Sequence, residues 1–328
     1  MSELLPWQAA IWASLMARAR ADRLPHALLF SGLQGVGKQQ LARRLAAGLL
    51  CESPQADGGP CGHCHACGML AAGSHPDFRW VAPEEEGKAI AVDVIRGVSE
   101  FFAFTSQRGG RQVVIVHAAE AMNRHAANSL LKTLEEPTPG ALLILISSRP
   151  SQLLPTIRSR CQQVDFPLPP ADAAVAWLGE HLPAEADSQA LLALAEGAPL
   201  AALKLHEEGG LTARLALMQA WAGLLQGQGE PTAVAAEWQR WGLARGLPWL
   251  MGWVADLIRL KSGAGEAAIS NRDLAAQLQM LAERLDLRAL YAFLDQLTEY
   301  RRQTGSNLNE LLALEDLMIA WRRCAVRP

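Results

Sequence analysis

The chain has 328 residues, a formal net charge of -3 and an apolar fraction of 50%. That length exceeds an ordinary single domain and predicts two or three domains, each with enough apolar material for its own core. The near-neutral charge excludes a general nucleic-acid coat, so any DNA contact has to come from a local patch or from an assembly. Arg18, Arg20 and Arg23 form one small basic group, which a solvated helix face explains as well. No apolar run reaches the ~18 residues that span a bilayer, and the opening MSELLPWQAAIW lacks the basic-then-apolar order of a signal peptide. A soluble, cytoplasmic protein is expected. The six cysteines do not make a secreted disulfide framework, and four of them cluster, which points to a metal.

In chain order, Leu4, Ala9, Ile11, Trp12, Leu15 and Met16 give the apolar side of a helix over 4–23. A short apolar strand, His26 to Phe30, then runs into Gly32-Leu33-Gln34-Gly35-Val36-Gly37-Lys38-Gln39. Strand, glycine loop and helix are the context of a Walker A loop. The glycines let backbone N–H groups converge on phosphate oxygens, and Lys38 adds a point charge at the helix N-terminus. The pattern G-x-x-x-x-G-K-[ST] is broken at Gln39, which stands where a hydroxyl holds Mg²⁺. Two readings of Gly32, Gly35, Gly37 and Lys38 therefore stand side by side: a turn that now only packs, and a weak phosphate site.

A helix from Gln40 to Leu50 ends at Cys51, and Cys61, Cys64 and Cys67 follow in a segment rich in Gly, Pro and Asp. Such a segment cannot build a hydrophobic core, and a tetrahedral Zn²⁺ on four thiolates would hold it instead. An iron–sulfur cluster is the rival, although its short-spaced motif is usually followed by Cys-Pro. His63 and His65 are alternative ligands. A closed four-thiolate site leaves no open position for substrate, so its role is structural.

Asp77 to Val81 reads as a strand, and Val92, Ile95, Val98, Phe101 and Phe102 as a helix. Gln107-Arg108-Gly109-Gly110 reads as the turn before the strand Val113 to Val116. That strand leads into His117-Ala118-Ala119-Glu120, where a Walker B motif would supply a metal-binding Asp and a catalytic Glu. His117 and Ala118 supply neither, and Glu120 lies two residues too late. Losing a positioned base costs about 10²–10⁴ in rate, so no ATP hydrolysis is expected.

Ala127, Leu130, Leu131 and Leu134 make a helical stripe that Pro137, Pro139 and Gly140 stop. Glu135 and Glu136 oppose the macrodipole at its end, which calls for cationic partners or full solvation. Leu142 to Ile146 is a continuous apolar strand suited to a parallel sheet covered on both faces. Ser159-Arg160-Cys161 places a guanidinium at the edge of that layer, with Arg158 two residues away along a segment read as extended. Val164 to Phe166 closes the sheet, and Pro167, Pro169 and Pro170 form a linker to a small helical lid reaching His206. The lid core is Trp177, Leu178, Leu182, Leu191, Leu192 and Leu194. From Gly210 onward the pattern is helical throughout, with stripes at Trp221, Leu224, Leu225; Trp249, Leu250, Trp253, Val254, Leu257, Ile258; and Leu308, Leu311, Leu312, Leu317. The expected architecture is an α/β P-loop domain with parallel sheet and zinc module (1–166, with the module at 51–67). A helical lid (167–207) and an all-α domain (208–328) follow.

NSLLKTLEEP followed by IRSRC resembles the central signature of the clamp-loader subunits of bacterial DNA polymerase III, members of the AAA+ class. The resemblance runs from about Pro25 to Leu203 and, more weakly, through the helical C-terminal third. It implies a zinc module at the position of the cysteines and a polar phosphate sensor at Ser147 and Ser148. It also implies a second sensor in Gly197-Ala198-Pro199-Leu200, where Leu200 replaces an arginine, and a C-terminal collar for oligomerisation. By the same resemblance Arg160 is an arginine finger acting in trans on a neighbouring subunit's ATP. The implied partners are the ATPase subunits and delta, with the sliding clamp and primed DNA reached through the complex. The function this implies is a non-hydrolysing stator. The alternative is an autonomous P-loop ATPase or kinase using Lys38; a zinc-dependent DNA-binding module lacks the basic helix it would need.

Overall fold

The computed structural model describes residues 3–85, 87–106, 110–263, 265, 268–303 and 308–325. The chain divides into two compact units, Met1–Glu207 and Glu208–Pro328. In the first, the apolar runs form strands β1 (Ala27–Ser31), β2 (Phe78–Val81), β3 (Gln112–Val116), β4 (Ala141–Ser147) and β5 (Gln162–Asp165). They pair in parallel in the order β2-β3-β4-β1-β5. The helices between and after them are α1 (Ala9–Arg20), α2 (Lys38–Leu50), α3 (His65–Ala71), α4 (Val92–Ala103), α5 (Arg124–Glu135), α6 (Pro155–Arg158), α7 (Ala171–His181), α8 (Ser188–Leu194) and α9 (Pro199–Glu207).

Every residue of β1, β3 and β4 is buried, because helices cover both faces of the sheet. Leu29, Val114, Val116, Leu143 and Leu145 share one core with Ile95, Val98 and Phe102 of α4 and Leu130 and Leu134 of α5. Leu28, Phe30, Val113, Ile115, Leu142 and Ile144 face the other way, onto Trp12, Leu15 and Met16 of α1 and Leu41 and Leu45 of α2. Continuous apolar strands are the sequence trace of this two-sided burial.

Two local differences have physical causes. The first helix does not start at Leu4: Pro6 opens a 3-10 turn over Pro6–Gln8, and Trp7 and Gln8 turn toward the glycine loop instead of extending α1. The last strand lies at Gln162–Asp165, and Phe166, which follows it, packs on Phe30 with ring centroids 5.0 Å apart. In the turn expected over 107–110, the first three positions lie outside the described residues. In the lid helices Trp177, Leu178, Leu182, Leu191 and Leu192 are buried as expected, whereas Leu194 is only half-buried.

The second unit contains α10 (Gly210–Gly223), α11 (Pro231–Trp241), α12 (Leu243–Lys261), α13 (Ala275–Glu283), α14 (Leu287–Gln303) and α15 (Glu310–Arg322), with no strand among the described residues. Trp221, Trp238, Trp253 and Trp321 form its centre, and the Trp321 indole donates to the Trp221 carbonyl at 2.9 Å. On α15 the core residues include Leu314 and Leu317; Leu312, expected in the stripe, is 62% exposed. No helix among the described residues is long and apolar enough to cross a membrane.

Candidate functional site

The glycine loop leaves the C-terminal end of β1, the strand flanked by β4 and β5. Gly35 adopts a left-handed φ of 86°, and a Cβ there would lie 2.6 Å from Ala201 on α9, so only glycine fits beneath the lid. Gly32 is equally confined, 2.4 Å separating such a Cβ from the Phe166 carbonyl. The lid also bonds directly to the loop, Leu200 N–H donating to the Gly35 carbonyl at 3.0 Å. From the other side Trp7 Nε1 donates to Val36 O at 2.9 Å and Gln8 Nε2 to Gly37 O at 2.8 Å.

Lys38 is only 5% exposed and folds back on its own loop. Its Nζ donates to Gly32 O at 2.7 Å, Leu33 O at 2.6 Å and Ser148 Oγ at 3.1 Å. Burial pushes the Lys38 pKa down to about 8, against which the Glu120 carboxylate pulls upward. In the sequence Glu120 lies two residues past the position of a catalytic acid. Ala118, at a left-handed φ of 52°, starts a 3-10 turn over Ala119–Ala121 that swings Glu120 back to the end of β4. There its Oε1 accepts from Ser148 N–H at 3.0 Å, while its other oxygen is buried with no hydrogen bond among the described residues. The loop's cation is thus answered from within by carbonyls, a hydroxyl and an acid. His117 stacks on Trp80, ring centroids 5.5 Å apart, and Arg43 covers the same indole at 4.0 Å. The Walker B position is filled by ring packing, with no carboxylate at 117 or 118. Gln39 is half-buried at the first turn of α2.

Cys51 caps the end of α2, Cys64 caps the start of α3, and Cys61 and Cys67 complete a cluster whose four Sγ atoms all lie within 4.8 Å of one another. Three of these separations are 3.7, 4.0 and 3.7 Å. Backbone N–H groups of Cys61, Cys64 and Cys67 point at sulfurs from 3.3 to 3.4 Å, the arrangement that stabilises thiolates. The group can hold a metal ion. His63 instead bonds the Cys61 carbonyl at 3.0 Å and is exposed. The loop between Cys51 and Cys61 is strapped to the domain by Trp12 Nε1 on Asp57 O at 3.2 Å and an Arg44–Asp57 ion pair at 3.1 Å.

Arg160 follows α6, and the segment joining it to Arg158 is helical rather than extended, with Arg160 N–H donating to Ile157 O at 3.1 Å. The two arginines part company. Arg158 lines a cavity of about 430 Å³ beside the loop, together with Gly32, Leu33, Ser148 and Asp165. Arg160 pairs instead with Glu135 at the end of α5, Nη2 to Oε1 2.7 Å, and keeps 37% of its side-chain surface exposed. One of the two carboxylates at that helix end therefore has a cation, and Glu136 is exposed.

The sheet order, the glycine loop on β1 and the helical lid on that loop define an AAA+ type P-loop domain, followed here by an all-α domain. A family model described as DNA polymerase III, delta subunit, matches residues 7–170, and one for the C-terminal part of that subunit matches 208–323. The chain is 40% identical over 325 residues to DNA polymerase III subunit delta' of Pseudomonas aeruginosa, covering 98% of each. It is 35% identical over 317 residues to subunit delta' of Escherichia coli, covering 96% of this chain and 94% of the relative. To subunit tau of Escherichia coli it is 37% identical over 141 residues, 43% of this chain and 21% of the relative. The chain belongs to the DNA polymerase III delta' family, the accessory clamp-loader subunits of that polymerase.

Proposed function

We propose that this chain is the non-hydrolysing member of a cytoplasmic clamp loader, a stator that presents Arg160 to the ATP of a neighbouring subunit. The loader would open a sliding clamp and place it on primed DNA. One coincidence carries the reading. Gln39, His117, Ala118 and Leu200 occupy four positions that ATP chemistry uses and cannot perform it, while Arg160 remains partly exposed at the end of α6. Lys38, held by Gly32, Leu33 and Ser148 with Glu120 beside it, supports a loop that serves as a packed turn under the lid. A guanidinium brought to another subunit's phosphates acts on charge that develops during transfer, and needs no chemistry of its own. The ATPase subunits and delta are the proposed direct partners, joined through the helices after Glu208.

The isolated chain is therefore expected to hydrolyse ATP no faster than buffer, and to co-elute with the other loader subunits on size exclusion. Steady turnover that copurifies with the chain and disappears in Lys38→Ala would replace the stator by the autonomous ATPase or kinase.

Zinc is the metal we assign to Cys51, Cys61, Cys64 and Cys67. Four sulfurs about 2.3 Å from one tetrahedral ion are about 3.8 Å apart; three of the six separations here are 3.7 to 4.0 Å and all lie within 4.8 Å, a cage of the size one such ion needs. An iron–sulfur cluster puts several atoms between its thiolates and needs a wider cage. Metal analysis should return one zinc per chain in a colourless protein, and stoichiometric iron with visible absorbance would reject the assignment. Cys64→Ser should loosen the segment between Cys51 and Cys67 and leave the sheet cooperative, since both sheet cores lie outside it.

A further inference from the structure

We propose that Glu135 is the positioning residue for Arg160, holding its guanidinium in the pose in which a neighbouring subunit's ATP meets it. The inference rests on the reading of Arg160 as that trans-acting group. A carboxylate at a helix C-terminus is unfavourable against the macrodipole unless a cation answers it. Glu135, the last residue of α5, is answered by Arg160 Nη2 at 2.7 Å. The other terminal nitrogen, Nη1, donates to the Thr156 carbonyl at 3.1 Å, on α6.

Two acceptors on two helices fix the plane of a side chain that otherwise samples many rotamers. The guanidinium has five N–H donors, so these contacts leave others free for phosphate oxygens. The arrangement is selective. Arg158, two residues earlier and on another side of the turn, lines the cavity beside this chain's own loop, and Glu136, next to Glu135, forms no ion pair among the described residues.

The test uses the reconstituted loader with its clamp, primed DNA and MgATP. An exposed pair of this kind is worth a two- to fivefold effect, by the usual scale of surface ion pairs. Glu135→Gln should lower kcat by about that factor at low ionic strength, with KM for ATP and assembly unchanged and thermal stability lowered no more than in Arg160→Ala. The deficit should shrink as salt is raised within the range in which the loader still binds DNA, because exposed pairs are screened. Glu135→Asp, which keeps the charge, should retain most of the rate, and Glu136→Gln all of it. Adding Glu135→Gln to Arg160→Ala should cost nothing further. If Arg160→Ala slows the loader while Glu135→Gln runs at the parental rate, or faster, the positioning role is wrong and the trans-acting arginine stands. If Arg160→Ala is itself without effect, both fall together.

Discussion

Arg160→Ala is expected to give a folded, metal-loaded chain that joins its partners normally yet slows ATP hydrolysis by about 10³–10⁵ at the one site it serves. The stability cost should be small. Arg160 keeps 37% of its side-chain surface exposed and its carboxylate partner keeps 50%, and such pairs contribute about 0.2–1 kcal/mol. On the proposed reading only one of the loader's ATP sites is touched, so the whole-loader rate should fall only in part, and clamp loading onto primed DNA should fall with it. Arg158 cannot take over, since it lines the cavity beside Gly32 and Asp165 while Arg160 pairs with Glu135. Arg160→Lys should recover little: an ammonium can still pair with Glu135, but it lacks the planar fork that engages phosphate oxygens two at a time. Single-turnover hydrolysis in the loader, with the clamp and DNA present, is the direct measurement. An unchanged rate would reduce Arg160 to a residue that tethers α6 to α5.

The features legible in the sequence are those that depend on near neighbours in the chain. Apolar runs at Leu142 to Ile146 and Val113 to Val116 announce strands buried on both faces, and both lie within strands of the sheet. The cysteine spacing announces a four-sulfur cage, and the four Sγ atoms do converge. What stayed hidden depends on distant pairs. Glu120 looked misplaced because its use depends on a backbone reversal at Ala118, which no local propensity marks, alanine being an unusual residue for a left-handed φ. The partner of Glu135 could not be named, because Arg160 reaches it only when α6 packs beside α5. The second unit shows the same limit more sharply. Its apolar stripes are visible in the sequence, but the burial of Arg214 and Asp256 among them, at 1% and 0% exposure, is not. A signal was available: Asp256 follows Trp253 by three residues, which places a carboxylate on the apolar stripe.

That buried carboxylate should be among the costliest side chains to remove. Asp256, on α12, accepts from four donors: Arg259 Nη1 at 2.6 Å, Ser270 N–H at 3.1 Å, Asn271 N–H at 2.9 Å and Asn271 Nδ2 at 2.7 Å. Asn271 in turn accepts from Arg214 Nη2 at 2.6 Å, and Arg214 Nη1 pairs with Asp273. The network ties α10 and α12 to the segment ahead of α13, where two backbone donors have Asp256 as their acceptor. Asp256→Ala leaves those two backbone donors and the Asn271 amide without their acceptor in the buried site, while Arg259, 45% exposed and also bonded to Ser270 Oγ, turns to solvent; at about 1–3 kcal/mol for each buried donor left unmet, the loss is about 3–5 kcal/mol. Against a typical domain stability of about 5–15 kcal/mol, that is a large share of the total. For a unit of this size the midpoint of unfolding should fall by about 10–20 °C. Asp256→Asn should do little better, since its amide nitrogen turns one acceptor into a donor facing another donor. Arg214→Met removes the charge but keeps the stem's packing near Trp253, and should cost less than Asp256→Ala because Asn271 still has Asp256. Trp221, Trp238, Trp253 and Trp321 report the transition directly by fluorescence, as all four are buried in this unit. If Asp256→Ala unfolded within about 1 kcal/mol of the parent, the scale of an ordinary hydrogen bond, water would have to be replacing the carboxylate and the site would not be dry.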